Sequence, residues 1–277
     1  MVGGSSVGTG LLVPGVAVFG ITGRMGQSLV RVLRDSPQGL RLSGGLASGS
    51  SGRLGLEAAA EGAPTGVRVS ADPEAALADA AVALEFSTPL EVGAHASACA
   101  ARRVPLLVGT TGLDAPTRAI LESAALSIPV LIAPNTSVGV GVLRQLVGLA
   151  AAALGEGFDV EVSEAHHRGK RDAPSGTALA LGEAVAHARG AALADVAVYE
   201  RHGVSDPRKA GSVGFSVLRA GDIVGEHTVT FASAGERLEL THRATDRMVF
   251  ARGALRAAEW LIGRPAGLYG MRDMLGL

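Results

Sequence analysis

The sequence has a single cysteine, Cys99, in 277 residues. It cannot close an internal disulfide and suits a reducing compartment, with the cytoplasm as the default. Aromatic residues make up only 3%, which argues against an aromatic-cored β-sandwich. Net charge is almost absent: the formal value is -1 and the isoelectric point is near 6.7. That leaves no electrostatic case for nucleic acid or an anionic membrane as a partner. The longest apolar stretch, 128–154, is interrupted by Pro129, Pro134, Asn135 and Arg144. No run of about 20 apolar residues is therefore expected to span a bilayer, and the stretch reads as a buried strand, a turn and a helix. Residues 1–15 lack the charged and apolar regions of a signal peptide and read as a flexible Gly/Ser-rich extension.

Small residues are what the chain has in quantity, including 39 glycines. They suit tight helix–sheet packing and cofactor loops lined by backbone. From Val16 onwards, "VAVFG" (16–20), "LRLSGGLA" (40–47), "AAVALEFS" (80–87), "PLLVGTT" (105–111) and "PVLIAP" (129–134) read as strands. Amphipathic helices are predicted between them at 26–35, 89–103 and 114–126. Continuous apolar runs imply strands buried on both faces, as in a parallel sheet. The expected fold class is thus α/β, with a Rossmann-like doubly wound domain.

After residue 135 the pattern changes. "FDVEVSEAHH" (158–167) alternates with period two, so one face is expected to be wet or to meet a cleft. Three strand-like runs within 213–244 are joined by Gly-containing turns and predict an antiparallel meander. A helical pattern returns over 248–262. The second domain is therefore expected to be α+β with a largely antiparallel or mixed sheet. We place the dinucleotide-binding domain at 16–136 and 246–277, and the second domain at 137–245.

"VAVFGITGRMGQSLV" (16–30) sets Gly20, Gly23 and Gly26 between a strand and a helix. Glycines allow the backbone to turn sharply beside a pyrophosphate, and the helix N-terminus offers free N–H groups and a favourable dipole. Thr22 occupies the middle glycine position of the usual pattern. An acid that holds the ribose hydroxyls is expected at the end of the second strand. Ala47 and Ser48 stand there instead, and "SGSSGR" with Ser48 and Arg53 follows. Without a carboxylate a 2′-phosphate is not repelled, so NADPH is expected to serve at least as well as NADH.

"SEAHHRGKRDAPSGTAL" (163–179) concentrates the remaining chemistry. In an extended strand, neighbours point to opposite faces, so His166 and His167 do not easily share a metal, and no metal site is expected. A polar strand end with satisfied histidines is the plain alternative. Lys170 and the Pro174–Thr177 turn add a cation, a proton source and a helix start rich in N–H and hydroxyl donors. With an imidazole that titrates near neutrality, these groups suit proton transfer on a small carboxylate-bearing substrate. Arg168 and Arg171 add attracting potential.

The segment "EAHHRGKRDAPSGTAL" resembles the signature of the 4-hydroxy-tetrahydrodipicolinate (dihydrodipicolinate) reductase family. "GITGRMG", "EFSTP" (85–89), "VGTTG" (108–112), "APNTSVGV" (133–140), "RAGDIVGEHTVTF" (219–231) and "GERLELTH" (235–242) extend the resemblance from Val16 to the C-terminus. It implies NAD(P)H-dependent reduction of a cyclic dicarboxylate imine in the diaminopimelate/lysine pathway. It also implies a homotetramer assembled through the second domain, which would carry substrate. By the resemblance His166 is proton donor/acceptor and Lys170 proton donor, while His167, Ser175, Gly176 and Thr177 hold the substrate. Thr111 reaches both substrate and nicotinamide. The cofactor loops it implies are Gly20, Ile21, Thr22, Gly23, Arg24, Met25 and Gly26; Phe86; Gly109, Thr110 and Thr111; and Ala133, Pro134, Asn135 and Thr136. Ala47, Ser48 and Arg53, where the chain departs from the family's second-strand acid, are expected to meet the ribose end of the cofactor. Closure about 134–138 and 245–248 is a further expectation.

Two rival readings share the fold. Another two-domain NAD(P)-dependent oxidoreductase, of the homoserine or aspartate dehydrogenase type, lacks the HHRGK…PSGT segment. A catalytically silent dinucleotide sensor has no need of intact His166, Lys170 and Thr177.

Overall fold

In the computed structural model, residues 13–35, 39–204 and 206–277 are described. Most of the expected extension at 1–15 lies outside them. The chain divides into two compact units, one running to Ile132 and taking in Leu255–Leu268, the other made of Ala133–Ala254 and Tyr269–Leu277.

The first unit runs β1 (Gly15–Phe19), α1 (Arg24–Asp35), β2 (Arg41–Leu46), β3 (Val69–Ser70), α2 (Pro73–Leu77), β4 (Val82–Glu85), α3 (Pro89–Ala101), β5 (Leu106–Val108), α4 (Ala115–Ala124) and β6 (Pro129–Ile132). All of β1, β4 and β5 is buried, as continuous apolar runs require. The strands pair in parallel. Among the described residues the sheet has seven strands in the order β12-β6-β5-β4-β1-β2-β3, its edge strand β12 being Gly267–Tyr269. The order reverses between β1 and β4, where doubly wound sheets bind ligands outside the carboxyl ends of their strands. Local chemistry starts the helices: the Asp72 and Asp114 side chains accept from Glu74 N and Thr117 N, and a proline opens α2 and α3.

The second unit contains α5 (Val138–Leu154), β7 (Asp159–His166), α6 (Gly176–Ala188), α7 (Leu193–Val196), β8 (Ala197–Val198), β9 (Val213–Arg219), β10 (Gly225–Ser233), β11 (Glu236–Ala244), the start of α8 (Met248–Leu261) and α9 (Met271–Leu275). Its five-stranded sheet has the order β11-β10-β7-β9-β8 among the described residues and is mixed. The expected meander is only half present. β10 and β11 form an antiparallel hairpin, but β7 inserts between β9 and β10, parallel to β9 and antiparallel to β10. The turn after β9 crosses the end of β7, where Ala220 N donates to His166 O at 2.9 Å. Runs adjacent in sequence usually pair as neighbouring strands, a preference that a non-local pairing overrides here.

Val160 and Val162 on β7 join Val213, Phe215, Val229 and Phe231 beneath α5 and α6. α5 with its following turn, Val138–Gly157, is 20 residues long and contains an 18-residue window with a mean hydropathy of 1.6. By length and composition it is apolar enough to cross a membrane, contrary to the expectation that Arg144 breaks the run. Arg144 lies on its exposed side, while Val140, Leu143, Val147 and Ala151 form the buried stripe.

The segment returning to the first unit, Leu255–Leu268, is shorter than the expected 246–277. Thr136 Oγ1 donates to Phe250 O at 2.7 Å, holding the start of α8 to the second unit. Met271 and Leu275 of α9 approach α5 at Gly141.

Candidate active site

The expected site residues are divided between the units. In the first, the chain leaves β1 at Gly20, whose φ is +73°, and α1 starts at Arg24 with no acid in its first turn. A Cβ at Gly20 would lie 2.5 Å from the Phe86 carbonyl oxygen, and one at Gly26 2.4 Å from that of Gly20. Gln27 stitches the turn in place, donating to Ile21 O and Ala58 O at 2.8 and 2.9 Å. Backbone thus approaches backbone around a free helix N-terminus of a 12-residue helix, an arrangement that fits a pyrophosphate. Ile21 is buried; Thr22, Gly23, Arg24 and Met25 reach the surface.

Ala47 directly follows the second strand, buried, and Ser48 is exposed, with its hydroxyl 3.0 Å from that of Ser50. Arg53 is less free than expected: its Nη2 donates to the carbonyls of Glu57 and Ala59 at 2.7 and 3.2 Å. It braces its own loop through that nitrogen.

At the end of β4, Glu85 is fully buried and joins two loops that carry expected cofactor residues. Its carboxylate accepts from Ser87 N at 2.6 Å, Thr110 Oγ1 at 3.5 Å and His95 Nδ1 at 2.5 Å. Gly109 lies where a Cβ would meet the Phe86 ring, and Thr111 is exposed beyond Thr110. Burial, with the nearby Glu85 charge, pushes the Cys99 thiol far up, so the one cysteine is an inert core residue.

In the second unit, period-two alternation along β7 buries Val160, Val162, Glu164 and His166 on one face. The apolar half of that stripe is core, and the polar half is the site. His166 Nδ1 lies 2.5 Å from Glu164 Oε2. Arg219 donates from Nη1 and Nη2 to the two Glu164 oxygens, each at 2.8 Å, and from Nη2 to Asp172 O at 2.6 Å. Strand register builds this cluster: β9 sets Arg219 opposite His166, and β10 sets His227 opposite Glu164.

Beyond β7 the chain turns, with His167 half-buried and Arg168 and Arg171 exposed. Lys170 Nζ pairs with both Asp172 oxygens at 2.9 Å. Ser175 caps α6; its N–H donates to Glu164 Oε1 at 2.9 Å, and its hydroxyl accepts from Ala178 N and meets His227 Nε2 at 3.1 Å. That hydroxyl is buried and already engaged, whereas Gly176 is exposed and Thr177 half-exposed at the helix start. Asn135 Nδ2 donates to Thr177 Oγ1 at 2.9 Å, bringing an expected cofactor residue to an expected substrate residue. Ala133 and Thr136 flank it, both buried, and Pro134 is exposed.

The sequence reading missed Glu164, Arg219, His227 and Glu85. Glu164 had a usable signal, because i and i+2 share a face on the alternating strand. Arg219 and His227 reach the cluster through strand pairing, which local periodicity does not encode.

Electrostatics follow from the geometry. Burial lowers the His166 pKa, and the Lys170 and Arg219 charges lower it further, while Glu164 opposes them. The Glu164 carboxyl is held below its ordinary value: burial works against ionisation, but the bonds from Arg219, His166 and Ser175 outweigh it. His227 is pushed down to about 4 by burial and by repulsion from His166. A histidine depressed on folding makes stability fall as pH drops from its unfolded value near 6.5 towards 4, since the unfolded chain then binds the extra proton. The loss expected from His227 alone is about 3 kcal/mol at 1.36 kcal/mol per pKa unit. Urea unfolding at pH 7 and pH 4.5 should therefore show a smaller pH dependence in His227→Phe than in the wild type; equal dependence would contradict the assignment.

Comparison with known proteins agrees with this layout. Residues 15–136 match the family model "Dihydrodipicolinate reductase, N-terminus", and residues 139–275 match "Dihydrodipicolinate reductase, C-terminus". The chain is 50% identical over 264 residues to a 4-hydroxy-tetrahydrodipicolinate reductase of Anaeromyxobacter dehalogenans, covering 95% of this chain and 97% of the relative. It is 49% identical over 263 residues to the enzyme of the same name from Thiobacillus denitrificans, covering 95% and 98%. Among solved structures, a dipicolinate-bound dihydrodipicolinate reductase from Paenisporosarcina sp. TG-14 superposes with a TM-score of 0.76 at 25% identity, covering 95% of this chain and 99% of that one. An amine dehydrogenase from Mycobacterium smegmatis, at 14% identity and a TM-score of 0.62 over 92% of this chain and 94% of that one, shares the fold alone. With both halves matched and half of the residues identical over nearly the full length of a relative, the chain belongs to the dihydrodipicolinate reductase family.

Proposed function

We propose that this chain reduces 4-hydroxy-tetrahydrodipicolinate to tetrahydrodipicolinate and water with NAD(P)H, as a step of diaminopimelate/lysine biosynthesis in the cytoplasm. The observation that carries the reading is the His166 cluster: a buried imidazole tied to an ionised carboxylate, next to Lys170 and the N-terminus of a 13-residue helix. When bound, the nicotinamide cofactor supplies a hydride, and the Gly20–Gly26 turn and the Phe86 and Gly109–Thr111 loops would hold it.

The protein's own part is to bind a dianion and deliver a proton. Gly176 and Thr177 offer N–H and hydroxyl donors to a substrate carboxylate, with His167 beside the turn. A dianionic substrate favours the imidazolium form of His166, which can then protonate the reduced ring, with Lys170 as a second proton source beside it. The solved relative from Paenisporosarcina holds dipicolinate, a cyclic dicarboxylate of the class this helix start suits. The test is oxidation of NADPH with freshly generated substrate, run beside aspartate and homoserine. Turnover on either amino acid and none on the cyclic substrate would favour the dehydrogenase reading, and silence on all three the sensor reading.

NADPH is the expected partner at least as much as NADH. Ala47 places no carboxylate at the strand end, and the exposed Ser48 and Ser50 hydroxyls can receive a 2′-phosphate. The kcat/KM for NADPH should equal or exceed that for NADH; a strong preference for NADH would remove this part of the account.

We further propose a homotetramer built through the five-stranded sheet. The face carrying Ser163, Ala165, Ser216 and Thr228 is open, with Leu218 half exposed. Light scattering should give a mass near four times the 27.8 kDa of the chain.

A further inference from the structure

Three features of the second unit converge on one carboxylate. Glu164 is 3% exposed, and its side chain is completely buried. It receives two parallel bonds from the Arg219 guanidinium, one from the Ser175 backbone and one from the His166 imidazole. An ionised carboxylate accepts hydrogen bonds and donates none, so the shared proton at 2.5 Å belongs to His166 Nδ1.

We propose that Glu164, clamped by Arg219, is the positioning residue of this active site: it holds the His166 ring with Nδ1 protonated and leaves Nε2 as the atom that exchanges a proton with substrate. This rests on the reading of His166 as proton donor.

The proton balance is simple. Once the 4-hydroxyl group has left as water, reduction of the ring needs one hydride and one proton: the imidazolium gives its Nε2 proton to the reduced substrate and keeps Nδ1–H on Glu164, ending as the neutral Nδ1–H tautomer; solvent reprotonates Nε2 for the next turnover. The bidentate Arg219 contact keeps Glu164 ionised, so the carboxylate orients the ring and stabilises its charge without taking the proton. The far side of the ring, at Nε2, faces residue 225 of β10. A Cβ there would crowd Nε2 at 3.1 Å, and the glycine at 225 spares it that contact.

The same carboxylate also fixes the donor turn. Its Oε1 holds Ser175 N, the N-cap of α6, and Arg219 Nη2 reaches the Asp172 carbonyl in the intervening loop. The imidazole and the helix start are thus set against each other by one group. This lowers the entropic cost of aligning an acid with a bound dianion.

The charged and titratable groups around His166 are Glu164 on its own strand, Arg219 on β9, His227 on β10, and Lys170 with Asp172 in the loop. Glu164 is the neighbour that favours the imidazolium most directly. Its removal should lower the pH at which the acid form of His166 is lost.

Glu164→Gln keeps the shape and removes the charge. It should lower kcat by about 100-fold, the lower end of what a general acid contributes, with the KM for NADPH within about threefold. The limb of the kcat profile that falls with rising pH should move to lower pH, a readout that a merely structural role would leave in place. Nitrogen-15 NMR of the wild-type imidazole is independent of activity and of how the variant folds. It should show His166 protonated on Nδ1 and bare on Nε2 in the neutral form. Neutral His166 protonated on Nε2, or a Glu164→Gln enzyme with unchanged kcat and an unmoved profile, would overturn the proposal. If His166→Gln itself keeps full activity, the proton-donor reading has failed; if it is inactive while Glu164→Gln is normal, only the positioning role has.

Discussion

His166→Gln is expected to lower kcat by roughly 100- to 10,000-fold, the usual contribution of a positioned general acid, while leaving NADPH affinity near that of the wild type. His166 closes the buried polar half of β7, held by Glu164 and flanked by Lys170, whereas the turn that fits a pyrophosphate lies in the other unit. Glutamine occupies similar space and can still donate to Glu164, but it has no second nitrogen that titrates near neutrality. Lys170→Ala should give a loss in the same range, since it removes the ammonium and frees Asp172. Stopped-flow turnover together with a fluorescence titration of NADPH separates the two effects. Near-normal kcat in either variant, or a loss that appears mainly in cofactor affinity, would contradict the assignment.

The second large effect is expected at the other end of the chain. Gly20→Ala should weaken NADPH binding by at least about tenfold, equivalent to 1.4 kcal/mol or more, and lower the melting temperature. Two costs act together. Residue 20 sits at a φ of +73°, where a side chain costs roughly 1–2 kcal/mol. Its Cβ would also press on the Phe86 carbonyl and Ser87 N at 2.5–2.8 Å, backbone atoms that cannot move aside as a flexible side chain could. Relief requires shifting either the turn or the Phe86 loop, and both are expected to touch cofactor. A titration within twofold of wild type, with unchanged melting, would show that the turn does not form the binding cradle.

What the sequence revealed and what it withheld follow from one distinction. β1, β4 and β5 were legible because strands buried on both faces are continuous apolar runs. The chemistry-bearing turn was legible because imidazole, ammonium and helix N-cap lie within a dozen residues of one another. The insertion of β7 between β9 and β10 was not legible, since register between strands more than about 50 residues apart leaves no local trace. Arg219 and His227 reach the site only through that register. Glu164 was within reach: the alternation that made 158–167 a strand also put it on the His166 face. β3, β8 and β12, two or three residues each, are too short for periodicity to detect. Ser175 reads as a substrate donor from its motif, yet its hydroxyl caps α6 and meets His227, a competition that only the folded chain displays.

The central claim is that this chain moves a hydride from a nicotinamide onto a cyclic dicarboxylate and supplies the proton itself. The most direct measurement is the mass of the product formed from freshly generated 4-hydroxy-tetrahydrodipicolinate with NADPH deuterated on the transferred position of C4. The account predicts tetrahydrodipicolinate carrying one carbon-bound deuterium, formed in step with NADPH oxidation and nearly abolished in His166→Gln. Cofactor oxidation without deuterium in the product, or no oxidation with this substrate at all, would contradict it.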